Sequence, residues 1–274
     1  MTSARLRPSR SLRDRNRLKA IVGLFLLTCC FSLAIAAEAP TAIPLASEPH
    51  HHLALHNEYV NVYQVEVAPH DSVLLHRHDF DAISVMISSA EVTVVTPGKP
   101  DEHRKLVDGQ VRLQTRGYVH STSIDGNTTY RNVTVELLQP QQAGRNLCSA
   151  VMANQPLNCP ATPASMPNET PISISQPQYE TDETLVTLIR VLPHQSIVIG
   201  NPQQSELVVV LDSDVMAGEK GSSAGKSLHS GDFLWLGQDN ASQVFKNSGE
   251  NEARIILFTL KSPSAAKTAS SSSK

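Results

Sequence analysis

The six residues Val67-Ala68-Pro69-His70-Asp71-Ser72 return 124 positions later as Val191-Leu192-Pro193-His194-Gln195-Ser196, and the same offset lays Ile83–Ile87 on Leu207–Leu211. Over positions 67–87 this offset gives five identities in 21 positions. An offset of 122 lays Asp108-Gly109-Gln110-Val111 on Ser230-Gly231-Asp232-Phe233, and Val133–Leu138 on Ile255–Leu260. A chain with such self-similarity folds as two copies of one unit. The two-residue change of offset belongs in a hairpin loop between the windows.

The unit is all β. Short runs with period-two alternation, broken by Gly, Pro, Asp and Asn, predict strands at Val60–Val67, Ala82–Ser88, Glu91–Thr96, Val133–Leu138, Thr184–Leu192, Glu206–Leu211 and Ala253–Leu260. No sustained helical stripe follows the leader. With 40% apolar and 18% charged residues the composition is globular. The expected organisation is a leader (1–36), a flexible segment (37–55), a first domain (56–139), a linker rich in Pro, Gln, Asn and Ser (140–179), a second domain (180–261) and a disordered Ser-rich tail (262–274).

The leader sets the compartment. Residues 1–36 carry seven basic side chains against Asp14, an apolar run from Ala20 follows, and Ala34-Ile35-Ala36 ends it. Basic region, apolar region and A-x-A site describe a cleavable secretory signal peptide, with a retained membrane anchor and a lipoprotein as the alternatives. Secreted or periplasmic export is expected, with no stable membrane span after cleavage. Of the formal net charge of −3, the leader carries +6, so the rest sits near −9. That sign excludes nucleic acid as a partner. Homo-oligomerisation is left open. In an oxidising compartment the remaining pair, Cys148 and Cys159, reads as a structural disulfide.

His76 and His78 are two apart, so on a strand both rings face one side. His120, in the passage Gly109-x5-Thr115-x-Gly117-x2-His120, returns to the same interior on another strand. Three neutral imidazoles suit a divalent transition metal (Fe, Zn, Mn, Ni or Cu), with open positions for water or a small molecule.

These spacings resemble the cupin superfamily. Its first motif, G-x5-H-x-H-x3/4-E-x6-G, is matched at His76-Arg77-His78. Its second, G-x5-P-x-G-x2-H-x3-N, is matched by Gly109, Gly117 and His120, with Thr115 in the proline place. The resemblance implies two tandem double-stranded β-helix (jelly-roll) domains, a bicupin. There are departures: His70 stands at the opening glycine, Ala82 or Ile83 at the carboxylate, and Ile124 at the final asparagine. Asp81, one position early, and Arg131 are the candidate auxiliary residues. In the second copy His76, His78 and His120 align with Gly200, Pro202 and Ser242, while Ala82 aligns with Glu206. One half therefore carries the site and the other is scaffold.

Weaker features carry less. The tract His50-His51-His52 with His56 reads as a mobile run without specific function. Gly221 to Ser227 is one residue short of a phosphate loop and reads as a hairpin. Asn127, Asn132, Asn168 and Asn240 begin glycosylation sequons, and Arg116 stands near the expected pocket mouth. Two functions fit: an exported metalloenzyme of oxygenase or isomerase type acting on a small molecule, or a non-catalytic protein that binds a small ligand or metal.

Overall fold

A computed structural model describes residues 41–147, 173–219, 221, 225–238 and 242–261. The leader 1–36, Cys148 and Cys159, and the tail 262–274 lie outside the described residues. The first barrel uses β1 (Ile43–Pro44), β2 (His51–His56), β3 (Val60–Val67), β4 (Ser72–Arg77), β5 (Asp81–Met86), β6 (Ala90–Val95), β7 (Glu102–Leu106), β8 (Val111–Gln114), β9 (Val119–Ile124) and β10 (Tyr130–Leu137). The second uses β11 (Arg145–Asn146), β12 (Ser173–Glu180), β13 (Thr184–Val191), β14 (Ser196–Ile199), β15 (Ser205–Val210), β16 (Val215–Glu219), β17 (Lys226–Leu228), β18 (Phe233–Leu236), β19 (Gln243–Asn247) and β20 (Ala253–Leu260). Their sheets run β1-β4-β9-β6-β7 and β2-β3-β10-β5-β8, then β11-β12-β13-β20-β15-β18 and β14-β19-β16-β17.

Each barrel is a pair of facing sheets, and one sheet of each packs on the other barrel. Alternation decides which side chains go where. On β10, Val133, Val135 and Leu137 point at the second barrel, where β20 answers with Ile256, Phe258 and Leu260. The intervening residues of β10 (Asn132, Thr134, Glu136) turn into the first barrel and are buried there. Those of β20 (Ala253 and Ile255) turn into the second, among Val208, Val210, Leu228 and Phe245.

The repeat is real, with one correction. The offset is 124 through β5 and β15, and 122 at β8 and β18. The change falls around the β6–β7 hairpin, as expected. In the last strand, however, Leu137 and Leu260 hold equivalent register positions, opposite Asp81 and Ser205, so the offset there is 123 and not 122. A one-residue slip exchanges the two faces of a strand, and a window held by apolar residues on both faces cannot fix it from sequence.

Two features explain the repeated residues. His70 and His194 take left-handed φ of 64° and 60°. Each follows a proline, in turns closed by Asp71 N–H to Ala68 O (3.2 Å) and Gln195 N–H to Leu192 O (3.1 Å). This is the type II turn, with Pro second and a positive φ third. At the other recurring turn, Gly109 and Gly231 (φ 76° and 90°) each leave room for a guanidinium from the opposite barrel: Arg254 donates to Asp108, and Arg131 donates to Ser230 O at 3.0 Å.

Two expectations need correcting. The segment 37–55 is not flexible from residue 41 on. β2 pairs with β3, β1 pairs in parallel with β4, and the 3-10 turn Leu45–Ser47 buries Leu45. Nor is 140–179 a linker throughout, because β11 and β12 extend the second barrel's sheet. Pro177 masks β12 in the sequence; the strand accommodates it at a register shift between Pro177 and Tyr179, where a missing N–H is tolerated.

Phe258 is fully buried in the layer between the barrels. Phe258→Ala should cost about 3–5 kcal/mol, read as a shift of the urea midpoint at unchanged slope.

Candidate metal centre

The three histidines meet because β4 is irregular. Its pairing with β9 runs Ser72↔Ser123 and Val73↔Thr122, then slips by one residue before His76↔His120. The extra residue is a β-bulge, and it lets Val73 and His76, three apart, both point inward. The counterpart β14 has no slip against β19. Gly117, at φ 84°, donates its N–H to His78 O at 2.8 Å and turns the chain back toward His120.

The rings form a compact set. Centroids lie 4.4 Å apart for His76 and His120, 5.2 Å for His76 and His78, and 5.3 Å for His78 and His120. One ring nitrogen from each falls within 4.8 Å of the other two, and all three side chains are buried. His76 Nδ1 donates to Leu74 O at 2.8 Å. Because a carbonyl only accepts, Nε2 is left with its lone pair, and that buried atom has no partner. His78 Nε2 and His120 Nε2 face each other at 3.1 Å, and His78 Nδ1 is also buried without a partner. Burial pushes His76 down to about 4 and His78 to about 3, and it holds His120 well below the ordinary imidazole value; the neighbouring imidazoles of the cluster add to the shifts of His78 and His120. Neutral imidazoles, with His76 Nε2 partnerless and the His78 and His120 Nε2 atoms facing only each other, are a donor set that suits a transition metal. The donor set could hold one such ion.

The surroundings fix these rings. Tyr118 stacks on His120 at 4.5 Å and 18°. Behind His76 stands His51, with ring centroids 5.0 Å apart. His51 Nδ1 donates to Glu48 Oε2 at 2.6 Å. Glu48 also accepts the Leu74 and His50 N–H groups and the His50 ring. Burial alone would raise this carboxyl, but the hydrogen bonds from His51, Leu74 and His50 outweigh it and hold Glu48 at about 2. A network of this kind orients a ligand from outside the coordination sphere. Its only trace in the sequence was a carboxylate heading the His50-His51-His52 tract, which read as mobile. His56 of the same tract donates to Asn61 Oδ1 at 2.6 Å, and Asn61 and Tyr63 in turn donate to the buried Glu136.

The expected auxiliaries lie elsewhere. Asp81 Oδ1 accepts the Arg116 N–H at 2.9 Å, so both residues belong to a loop contact. Arg131 faces the second barrel, on the apolar side of β10, and not the pocket. Asn132 is buried with its Oδ1 accepting from Thr134, so its sequon is closed in the folded protein. Asn127, by contrast, is exposed.

In the second barrel a Cβ on Gly200 would stand 2.6 Å from Ser242 Cα. The backbones there are too close for an imidazole pair. Glu206, at the family's carboxylate position, is buried with Oε2 unpartnered, and burial raises its carboxyl. A cavity of about 320 Å³ opens beside the histidines in the first barrel, with His120, Tyr118, Arg112 and Tyr130 in its wall.

No protein-family model matches the chain, and no curated protein is significantly similar to it in sequence. Solved structures are similar in fold. AerE from Microcystis aeruginosa superposes with a TM-score of 0.53 at 12% identity, covering 78% of this chain and 99% of its own. A cupin 2 conserved barrel domain protein from Leptotrichia buccalis gives 0.47 at 10% identity, covering 76% of this chain and 86% of its own. A deletion variant of Bacillus subtilis oxalate decarboxylase gives 0.48 at 11%, covering 82% and 78%. Among the described residues no helix is long and apolar enough to cross a membrane. Two jelly rolls packed sheet to sheet, with the paired histidine motifs on the first, give this chain the cupin fold in its two-barrel, bicupin form.

Proposed function

We propose that this protein is exported and is a metal-dependent enzyme of small-molecule chemistry, its ion held by His76, His78 and His120. The observation that carries the reading is the convergence of three buried imidazoles, with His76 Nε2 partnerless and the Nε2 atoms of His78 and His120 facing only each other. Fe, Zn, Mn, Ni and Cu all suit the donors. When bound, such an ion polarises an oxygen-bearing group or activates dioxygen. The chain supplies the rest. Leu74 O and the Glu48–His51 pair hold His76, Tyr118 supports His120, and the cavity beside His120 receives the small molecule. Ala82 in place of the family's carboxylate leaves an additional coordination position open. Export rests on the leader sequence.

A second reading, ligand binding without turnover, is favoured by one observation. Among the described residues Glu102 is the one carboxylate in the cavity wall, and it is already engaged by Arg104.

The decisive measurement is metal content of untagged residues 37–274, purified without chelator, beside His76→Ala/His120→Ala. Near one equivalent, lost in the variant, is expected; no metal after reconstitution overturns the reading. Turnover abolished in a folded His120→Ala separates the enzyme from the binder.

A pH dependence follows from the buried imidazoles. Unfolded histidines take up protons as pH falls through about 6.5, whereas His76 resists to about 4 and His78 to about 3. The unfolded state therefore binds more protons, and stability falls with pH across that window. Chelator-treated protein should lose several degrees of Tm between about pH 6.5 and 4.5, and His78→Gln should flatten the slope; the buried carboxyls of Glu136 and Glu206, raised by burial, act in the opposite sense in both proteins. An equal slope in the two proteins would mean that the folded cluster is already charged.

A further inference from the structure

The cavity beside His120 carries a second message, in charge. Arg112 lies on β8 between Val111 and Leu113, which face the barrel interface, so its own side chain turns inward and lines the cavity. It is half-buried, and among the described residues no carboxylate or carbonyl forms an ion pair or hydrogen bond with it. The nearest acid, Glu102, bonds Arg104 through both Nε and Nη2. Burial lowers the Arg112 guanidinium from its ordinary value, and the like charge of Arg104 adds to this. Lys99 stands in the same wall. Three cations against one carboxylate leave this wall positive, in a chain whose net charge outside the leader is near −9.

The second barrel is the control. The pairing that places Arg112 opposite Ser84 places Leu234 opposite Val208. Those two residues, with Leu236, belong to an apolar filling. The fold itself therefore has no need of a cation at this position. A half-desolvated guanidinium with no partner is unfavourable. It is also preorganised for an anion, because its planar fork accepts a carboxylate through two parallel N–H bonds.

We propose that the ligand of this cavity is a small organic carboxylate, anchored on Arg112 with support from Arg104, so that its far end lies toward His120. A volume of about 320 Å³ is at the small end of ligand pockets. Met86, Val92 and Leu106 also line the cavity and suit a short carbon skeleton. This assignment rests on the proposed small-molecule function of the site, but anion binding at Arg112 needs no ion.

The test is calorimetric titration of chelator-treated and metal-loaded protein with succinate and benzoate, against succinamide, benzamide and inorganic phosphate. Both acids should bind the chelator-treated protein, and the amides should bind at least tenfold more weakly. Arg112→Leu, which installs the second barrel's residue, should lose tenfold or more in carboxylate affinity. Arg112→Lys should keep part of it, and Arg104→Gln should lose less than Arg112→Leu. Circular dichroism and Tm check that each variant is folded. Equal binding of acids and amides, an unchanged Kd in folded Arg112→Leu and Arg112→Lys, or no carboxylate binding at millimolar concentration would overturn the assignment. Phosphate binding more tightly than either acid would overturn it in favour of a phosphoryl ligand. Carboxylate binding in a protein that takes up no metal would sustain this inference while the metal reading fails.

Discussion

The apolar layer between the barrels is the constraint on which the rest of the molecule depends. Val133, Val135 and Leu137 face Ile256, Phe258 and Leu260 across it, with Ile83, Val85, Leu207 and Val209 alongside. Because β5 and β10 bury one face here, part of the hydrophobic drive that holds the first barrel together is met outside its own interior. Along β5 and β10 that interior is then free to be polar. Ser84, Asn132, Thr134 and Glu136 are buried inside it, bonded to one another, to Gln114 or to Asn61 and Tyr63. The apolar filling of the first barrel's own interior is a separate cluster that includes Val65, Val73, Met86, Val92 and Ile124.

The two interiors divide the work. In the second barrel Val208, Val210, Leu234, Leu236 and Ile255 fill space that the first keeps for histidines, a cavity and an arginine. Close packing at Gly200 and Ser242 seals the place where the first barrel spreads β4 from β9 with a bulge. Equivalent positions in one chain thus show what the fold demands by itself, and what is added to it for chemistry.

Much of this was legible. Period-two alternation located the strands, the recurrence of Pro-His and Asp-Gly-type turns exposed the duplication, and His76, His78 and His120 emerged from spacing. What escaped depended on geometry that no local pattern carries. The bulge in β4 is a pairing event between two strands distant in sequence, Ser72–Arg77 and Val119–Ile124. Glu48 and His51 looked like a mobile tract because their partners, Leu74 and His76, arrive only through parallel pairing of β1 with β4. Arg131 looked like a pocket residue because inward and interface faces alternate on a strand buried on both sides. The register of β20 escaped for the same reason.

The reciprocal arginines add one consequence. Arg131 leaves the histidine-bearing half to hold a turn of the other half, and Arg254 returns the contact to the Asp108-Gly109 turn. That turn leads directly into β8, the strand that presents Arg112. Changes in the barrel without the histidine cluster can therefore reach the strand that carries Arg112. Domain-by-domain expression would discard the contacts that brace the Asp108-Gly109 turn and bury the inter-barrel face of the first half.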